Sequence, residues 1–489
     1  MSAIGSHHFH LLLAARAIAN RITCASVNIP SLLTEKERLN TFSSGTHRAR
    51  RIEMKDSRIK RLISSVAGVR NSSPRLSDVA SEQILQKALD LFRPTEIENL
   101  QTLVAKKIED LRHYDVFNMQ RAVAICHWGR SGSLFAASYL DGHDDVVLLP
   151  PICGDVLYEF FERYPSLTLR DKLIAYPLFS YQSFFEGKFA IDLTDYYTAV
   201  AAISEVYKHW SPSVLETSRA FFQCLHVAFS LALGRRPASP CPLMVWQLHW
   251  WNEKYALWFI DDFPKGLFLH TVRDPIAAYD RTFGQFGKTE TYYPSWWTIR
   301  YLNKADKPHP GTDRMSRAVR FEDLHNHTAE TVGRIAEWLG LPHQPALMTS
   351  TFNGIPYVVE RGGITWSGAR PQQAERSSDN LRMIDRLILF ALFHEDFVAW
   401  HYSYPGVFRN PLVRVLTCIL AFIIPMKPET IVARRIIKQD VLPALRRGQF
   451  RAVLKGLRLI LTGRLMVIYT VASELRRRLI LREGVLKLI

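Results

Sequence analysis

Cysteine is scarce in this chain: six in 489 residues, Cys24, Cys126, Cys153, Cys224, Cys241 and Cys418, with no C-x-x-C pair and no histidine at metal-ligand spacing. That scatter argues against a zinc site and a disulfide scaffold, and it suits a reducing compartment. Long apolar runs are missing as well. The run from Val415 to Met426 spans only 12 residues, short of the roughly 20 that cross a bilayer as a helix. No internal repeat or heptad is visible, so solenoid and coiled-coil readings fall away. Acidic residues are absent before Glu35, where "FHLLLAARAIANRI" reads as a transit-like segment or a plain basic leader, too short in its apolar part to span.

The composition that remains is that of a globular protein, with 47% hydrophobic residues, enough for one large core or two modest ones. Its net charge of +16 is unevenly spread. Residues 1–72 carry 12 Lys and Arg against 4 Asp and Glu, and residues 406–489 carry 17 against 4, which leaves 33 against 38 in the middle. Basic ends on a mildly acidic body point to a polyanionic surface. In the C-terminal segment Arg447, Arg451, Lys455 and Arg458 recur at helical spacing among Leu454, Leu457 and Leu461. Interleaving with aliphatics suits an anionic membrane surface better than nucleic acid, which calls for aromatics or glycine. The expectation is a protein of the cytoplasm, peripheral at the membrane, with no nucleic-acid partner.

Three regions are expected: a basic, disordered leader over 1–75 whose stretch 40–75 reads as a linker, a folded domain over 76–405, and a basic amphipathic region over 406–489. Apolar residues at helical spacing predict helices over 84–92 and 100–111, then over 196–210 and 214–233. Four short apolar runs, "RAVAICH", "PLMVWQLH", "GLFLHTV" and "RAVRF", alternate with helical stretches. That is the pattern of buried parallel strands in an α/β fold.

Chemistry gathers at the ends of those runs. In "CHWGRSGSLF" a strand gives way to a helix through Gly129 and Gly132, a turn that exposes backbone N–H groups and lets an anion approach, with Arg130, Ser131 and Ser133 supplying charge and hydroxyls. The Lys-Ser/Thr pair of a Walker loop is absent, which disfavours ATP or GTP hydrolysis.

Four stretches together resemble the PAPS-dependent sulfotransferase family, in its bacterial and carbohydrate-type form, across roughly 121–405. Arg130-Ser131-Gly132-Ser133 is similar to that family's 5′-phosphosulfate loop, "LFLHTVRDPIAAYDR" to its 3′-phosphate segment, "RAVRFEDLHNHTAETVGRIAEWLGLP" to its strand-helix unit, and "ERGGITW" to its nucleotide-covering loop. The resemblance implies a P-loop-like three-layer α/β fold with a central parallel sheet flanked by helices, plus a helical C-terminal extension. It implies 3′-phosphoadenosine 5′-phosphosulfate (PAPS) as co-substrate and no metal. Its expected binding residues are Arg130, Ser131, Gly132 and Ser133 at the 5′ end, Phe135 on adenine, Arg273 and Arg281 at the 3′-phosphate, and Arg361 in the loop that covers the nucleotide.

By the same resemblance Arg130 stabilises the transferring group and His249 is the general base, with Asp155 and Glu159 as rival bases. The implied acceptor is a hydroxyl on a glycan or glycolipid. Gln247 stands where cytosolic relatives carry lysine, and Arg281 where the family usually has serine; Asp280 beside it is a candidate partner for either arginine. These departures keep two other readings open, a non-catalytic sulfotransferase-like protein and a nucleotide-dependent kinase of related fold.

Overall fold

A computed structural model describes residues 100–127, 131–149, 156–179, 191–248, 253–284, 299, 312–361, 364–373, 378–481 and 485–489. The chain divides into two units, Met1–Arg93 and Pro94–Ile489. The first unit, with the expected leader and the helix expected over 84–92, lies outside the described residues.

Five short apolar runs form the sheet of the second unit: β1 (Ala122–His127), β2 (Val146–Leu148), β3 (Leu243–Leu248), β4 (Leu267–Val272) and β5 (Ser316–Arg320). All pair in parallel, in the order β2-β3-β1-β4-β5. Every residue of β3 is buried, the condition under which a strand covered on both faces reads as a near-continuous apolar run. Four of these strands are legible as patterns. Strand β2, at three residues, is too short to show a period.

Helices fill both faces. Among them, in chain order, are α1 (Leu100–Leu111), α2 (Ser133–Ser138), α3 (Leu157–Arg163), α4 (Ser218–Ala232), α5 (Glu253–Asp262), α6 (Pro275–Thr282), α7 (Phe321–Asn326), α8 (Thr328–Leu339), α9 (Met383–Leu392), α10 (His394–Ala399), α11 (Pro411–Ile423), α12 (Lys427–Ile436) and α13 (Phe450–Leu475); further helices span Leu169–Phe179, Leu193–Tyr207, which covers most of the helix expected over 196–210, Pro212–Leu215 and Leu442–Arg446. Strand alternation turns Val123, Ile125, Val245 and Leu269 toward α2 and α8. On the other face Trp246 meets Phe222 of α4 and Phe259 of α5. The result is a three-layer α/β fold with a P-loop-like turn after its first strand.

The region after residue 405 carries no α/β pattern, yet it is built into the same core. Cys418 and Ala421 of α11 and Val467 and Val471 of α13 are buried in one cluster with Val272, Ile276 and Tyr279. The chain end then reaches the sheet: Leu488 forms a parallel bridge with Ala318, whose N–H donates to the Lys487 carbonyl at 2.8 Å and whose carbonyl accepts from Ile489 N–H at 3.0 Å. An edge strand that would otherwise present unpaired backbone groups is thereby covered.

Candidate functional site

Strand order decides where a ligand can sit. After β1 the chain crosses to β2, beyond β3; after β4 it crosses the opposite way to β5. Neighbouring strands whose connections leave in opposite directions open a crevice at their carboxyl ends. Into that crevice run the turn after β1, the Arg273-Asp274 step after β4, and α7 after β5.

These segments touch. The Ser131 hydroxyl hydrogen-bonds the Thr271 hydroxyl at 2.8 Å, both side chains buried. Gly132 follows with φ +88°, the left-handed region that a side chain disfavours. A Cβ there would also stand 2.4 Å from the Phe321 ring, so glycine is required twice over, once by the turn and once by α7. Gly132 caps α2, and no side chain supplies a capping hydrogen bond.

A column of flat groups lines the crevice. The Arg273 guanidinium lies 4.2 Å over the Phe321 ring. Phe321 meets His325 edge-on at 4.4 Å, and His325 stacks on Phe135 at 4.4 Å with an interplanar angle of 13°. The Nδ1 of His325 accepts the Arg370 backbone N–H at 2.9 Å, so its ring proton belongs on Nε2. Burial, reinforced by the Arg273 charge, pushes the His325 pKa down to about 4 and keeps the ring neutral at physiological pH. Arg370 in turn lies 5.0 Å over Trp366. Trp366 belongs to the hairpin of β6 (Val358–Arg361) and β7 (Ile364–Ser367). Thus the four stretches singled out in the sequence meet around one column.

Carboxylates order the far side. Asp274 Oδ1 accepts the N–H groups of Ile276 and Ala277 at 2.9 and 3.0 Å, capping α6. Glu322 accepts the Asp274 N–H at 3.2 Å and the Tyr402 hydroxyl at 2.6 Å. Burial pushes the Glu322 carboxyl above its ordinary pKa, and the Tyr402 hydrogen bond and the Arg273 charge offset part of that rise. Asp280 accepts the Asn380 N–H at 2.8 Å.

The remaining expected residues are distributed as follows. Ser133 and Phe135 are buried on α2, and Phe135 spends one ring face on His325. Arg273 is 5% exposed. Arg281 is half-buried on the last turn of α6, and its Nε is buried with no hydrogen-bond partner among the described residues. Gln247 is buried in β3 beside Ile125. Glu159 is exposed in the first turn of α3. Arg361 ends β6, its side chain outside the described residues, as are Arg130, Asp155 and His249 altogether. Sequence reasoning passed over Thr271, Phe321, Glu322, His325 and Tyr402. The first four lie inside or beside the quoted motifs; Tyr402 carries no local signal, because its partner is 80 residues away.

No known protein-family profile matches the chain, and no curated protein matches it. Among solved structures it is similar to a sulfotransferase domain from the curacin biosynthetic pathway, at 14% identity and a TM-score of 0.27 over 47% of this chain and 77% of that one. It is similar to a sulfotransferase domain from the Synechococcus PCC 7002 olefin synthase at 14% identity and a TM-score of 0.32, over 58% and 96% of the two chains. A sulfotransferase from Mycobacterium avium aligns at 12% identity and a TM-score of 0.27, over 59% and 85%. The fold assignment rests on the strand order of the chain itself.

Proposed function

We propose that this protein transfers a sulfuryl group from PAPS to a hydroxyl acceptor, of which a glycan or glycolipid is the class that suits it. The observation that carries this reading is the Ser131 to Thr271 hydrogen bond of 2.8 Å. It holds the turn after β1 against the strand end that leads into Arg273, so two segments suited to anions face one crevice although 140 residues separate them. A nucleotide with an anionic group at each end matches two such segments; a singly phosphorylated one uses only half of the arrangement.

The residues present fit such a co-substrate. Arg273 is a buried cation held flat on Phe321, and the unpartnered Nε of Arg281 is a donor without an acceptor. When bound, PAPS supplies a sulfuryl group on a phosphate leaving group. In this reading Arg273 and Arg281 hold the 3′-phosphate and Arg361 belongs to the loop that covers the nucleotide, while Arg130, Ser131 and Ser133 hold the other end. Catalysis is then mainly positioning and charge stabilisation, by analogy with phosphoryl transfer, and Arg130 carries that charge. A general base takes the acceptor's proton, His249 first and Glu159 or Asp155 as alternatives.

Calorimetry on the full chain tests the binding half. Adenosine 3′,5′-bisphosphate is expected to bind more tightly than AMP, and Arg273→Gln to weaken the bisphosphate on the order of a hundredfold while leaving AMP nearly unchanged. Equal binding of the two nucleotides by the wild type overturns the proposal. Sulfate transfer from labelled PAPS that needs no magnesium, and that falls by roughly 10²-fold or more in His249→Ala, separates this reading from a kinase and from a non-catalytic relative.

A further inference from the structure

The C-terminal helices have two faces of opposite fate. The inner ones are committed to the core, as described above. The outer face of α11 presents Leu412, Leu416, Ile419 and Ile423, one per turn, with Ile423 71% exposed. The outer face of α13 presents Leu454, Leu457, Leu461 and Leu465 in the same way, with Leu454 65% exposed. The two helices meet where Arg464 donates to the Ala421 carbonyl. That junction is within one turn of Ile423 along one helix and of Leu461 and Leu465 along the other. Apolar area of this extent on a soluble chain marks an interaction surface.

Charge selects the occupant. Arg451, Lys455 and Arg458 are exposed along one flank of the α13 stripe, and the whole region carries 17 basic residues against 4 acidic. A second copy of the chain would set one basic flank against another. A nucleic acid would neutralise the cations and leave the leucines in water. An anionic bilayer satisfies both, lipid tails taking the aliphatics and headgroups the cations.

Pro411–Arg446 is long and apolar enough, by length and composition, to cross a membrane, and only 28% of its apolar window is buried, but the backbone turns extended at Ile424 and Met426 and breaks the helix there. Helix α11 alone, at 13 residues, is about 20 Å long against a hydrocarbon core of about 30 Å. Helix α13 is longer, yet it carries four cations, and Val467 and Val471 tie it to Val272 under the sheet. Neither helix can insert across the bilayer without opening that core.

We propose that the outer faces of α11 and α13 form one shallow docking surface for an anionic bilayer, on which the protein lies and which it does not cross. The inference is independent of the catalytic reading. Flotation of the full chain with vesicles of phosphatidylcholine alone, and of phosphatidylcholine mixed with phosphatidylglycerol, tests it. Binding is expected only with the anionic vesicles. The triple variant Arg451→Gln, Lys455→Gln, Arg458→Gln is expected to weaken it on the order of a hundredfold, roughly fivefold per cation. The double variant Leu416→Asp, Leu461→Asp is expected to abolish it with the melting temperature unchanged, since these side chains are 55% and 60% exposed. Equal flotation on neutral vesicles, or flotation of both variants like wild type through some other part of the chain, overturns the proposal. So does sedimentation showing a wild-type dimer that the double variant reduces to a monomer, which would make a second copy the occupant.

Discussion

Two buried clusters in this protein pair arginine with carboxylates, and they do so to different ends. In the C-terminal region Glu474, fully buried, accepts from Arg477 and Arg478; Arg478 also donates to Asp396 at 2.7 Å, and Arg414 donates to Glu395. Burial would raise the Glu395 pKa, but the His394 hydrogen bond and the charges of Arg478 and Arg414 outweigh it and hold the carboxyl at about 2. In the crevice Glu322 is coupled to Arg273 and hydrogen-bonded by a neutral tyrosine, and burial wins: its carboxyl moves up. The first cluster consumes its charges internally and fastens α13 to α10. In the second, burial of Glu322 opposes its ionisation while the Arg273 charge favours it. Buried arginine thus closes an ion-pair cluster in one place and lies against the Phe321 ring at the carboxyl end of the sheet in the other.

The largest effect is expected from breaking the first cluster. Glu474→Ala leaves Arg477 and Arg478 buried beside a lost partner, and such a loss costs about 3–5 kcal/mol. Urea unfolding of the full chain should show the free energy of unfolding fall by that amount; a change below about 1 kcal/mol would mean that Asp396 and Glu395 suffice without it.

Acid should separate the two regions. His325 has a folded pKa of about 4 against 6.5 when unfolded. Between those values the unfolded chain binds the extra proton, so stability falls as pH drops from 6.5 toward 4, by up to about 2 kcal/mol after allowance for solvent screening. His226, with a pKa of about 4 from burial, adds to the same window. Glu395 acts in the same direction over a more acidic window: with its pKa lowered from 4.5 to about 2, its contribution is intact above pH 4.5 and is lost only as pH falls toward 2. Thermal melts against pH should therefore decline first between 6.5 and 4, and His325→Asn should flatten that part of the profile while leaving the more acidic part alone. An unchanged slope in the variant would assign the decline elsewhere.

The smallest change sharpens the comparison. Glu322→Gln keeps a hydrogen-bond acceptor for Tyr402 and removes the anion near Arg273, at a cost of about 1–2 kcal/mol. Affinity for adenosine 3′,5′-bisphosphate should rise severalfold in calorimetry. Weaker binding would show that Glu322 orients Arg273 more than it opposes it.

Much of this molecule is legible along the chain. The apolar runs 121–127, 242–249, 266–272 and 317–321 became β1, β3, β4 and β5 within a residue or two, because a strand buried on both faces has to be apolar throughout. Helix α1 emerged over the expected residues, and the helix expected over 214–233 became a short turn followed by α4. The hairpin around Trp366 and the single-residue bridge at Leu488 were not legible, since neither is long enough to carry a period. Of the site, the arginines and the glycine announced themselves by local pattern. Thr271, His325 and Tyr402 did not, since each acts through a residue distant in the chain or through a ring stack.

The order of strands and helices, the four motif stretches and the basic ends are properties of local composition, and the sequence determines them alone. Which segments became neighbours was decided only in three dimensions: Ser131 against Thr271, His325 between Phe135 and Phe321, and one side of α11 and α13 against the sheet with the other left bare. The physical reason is that periodicity marks the face of an element that must be covered, whereas strand order and long-range packing choose what covers it.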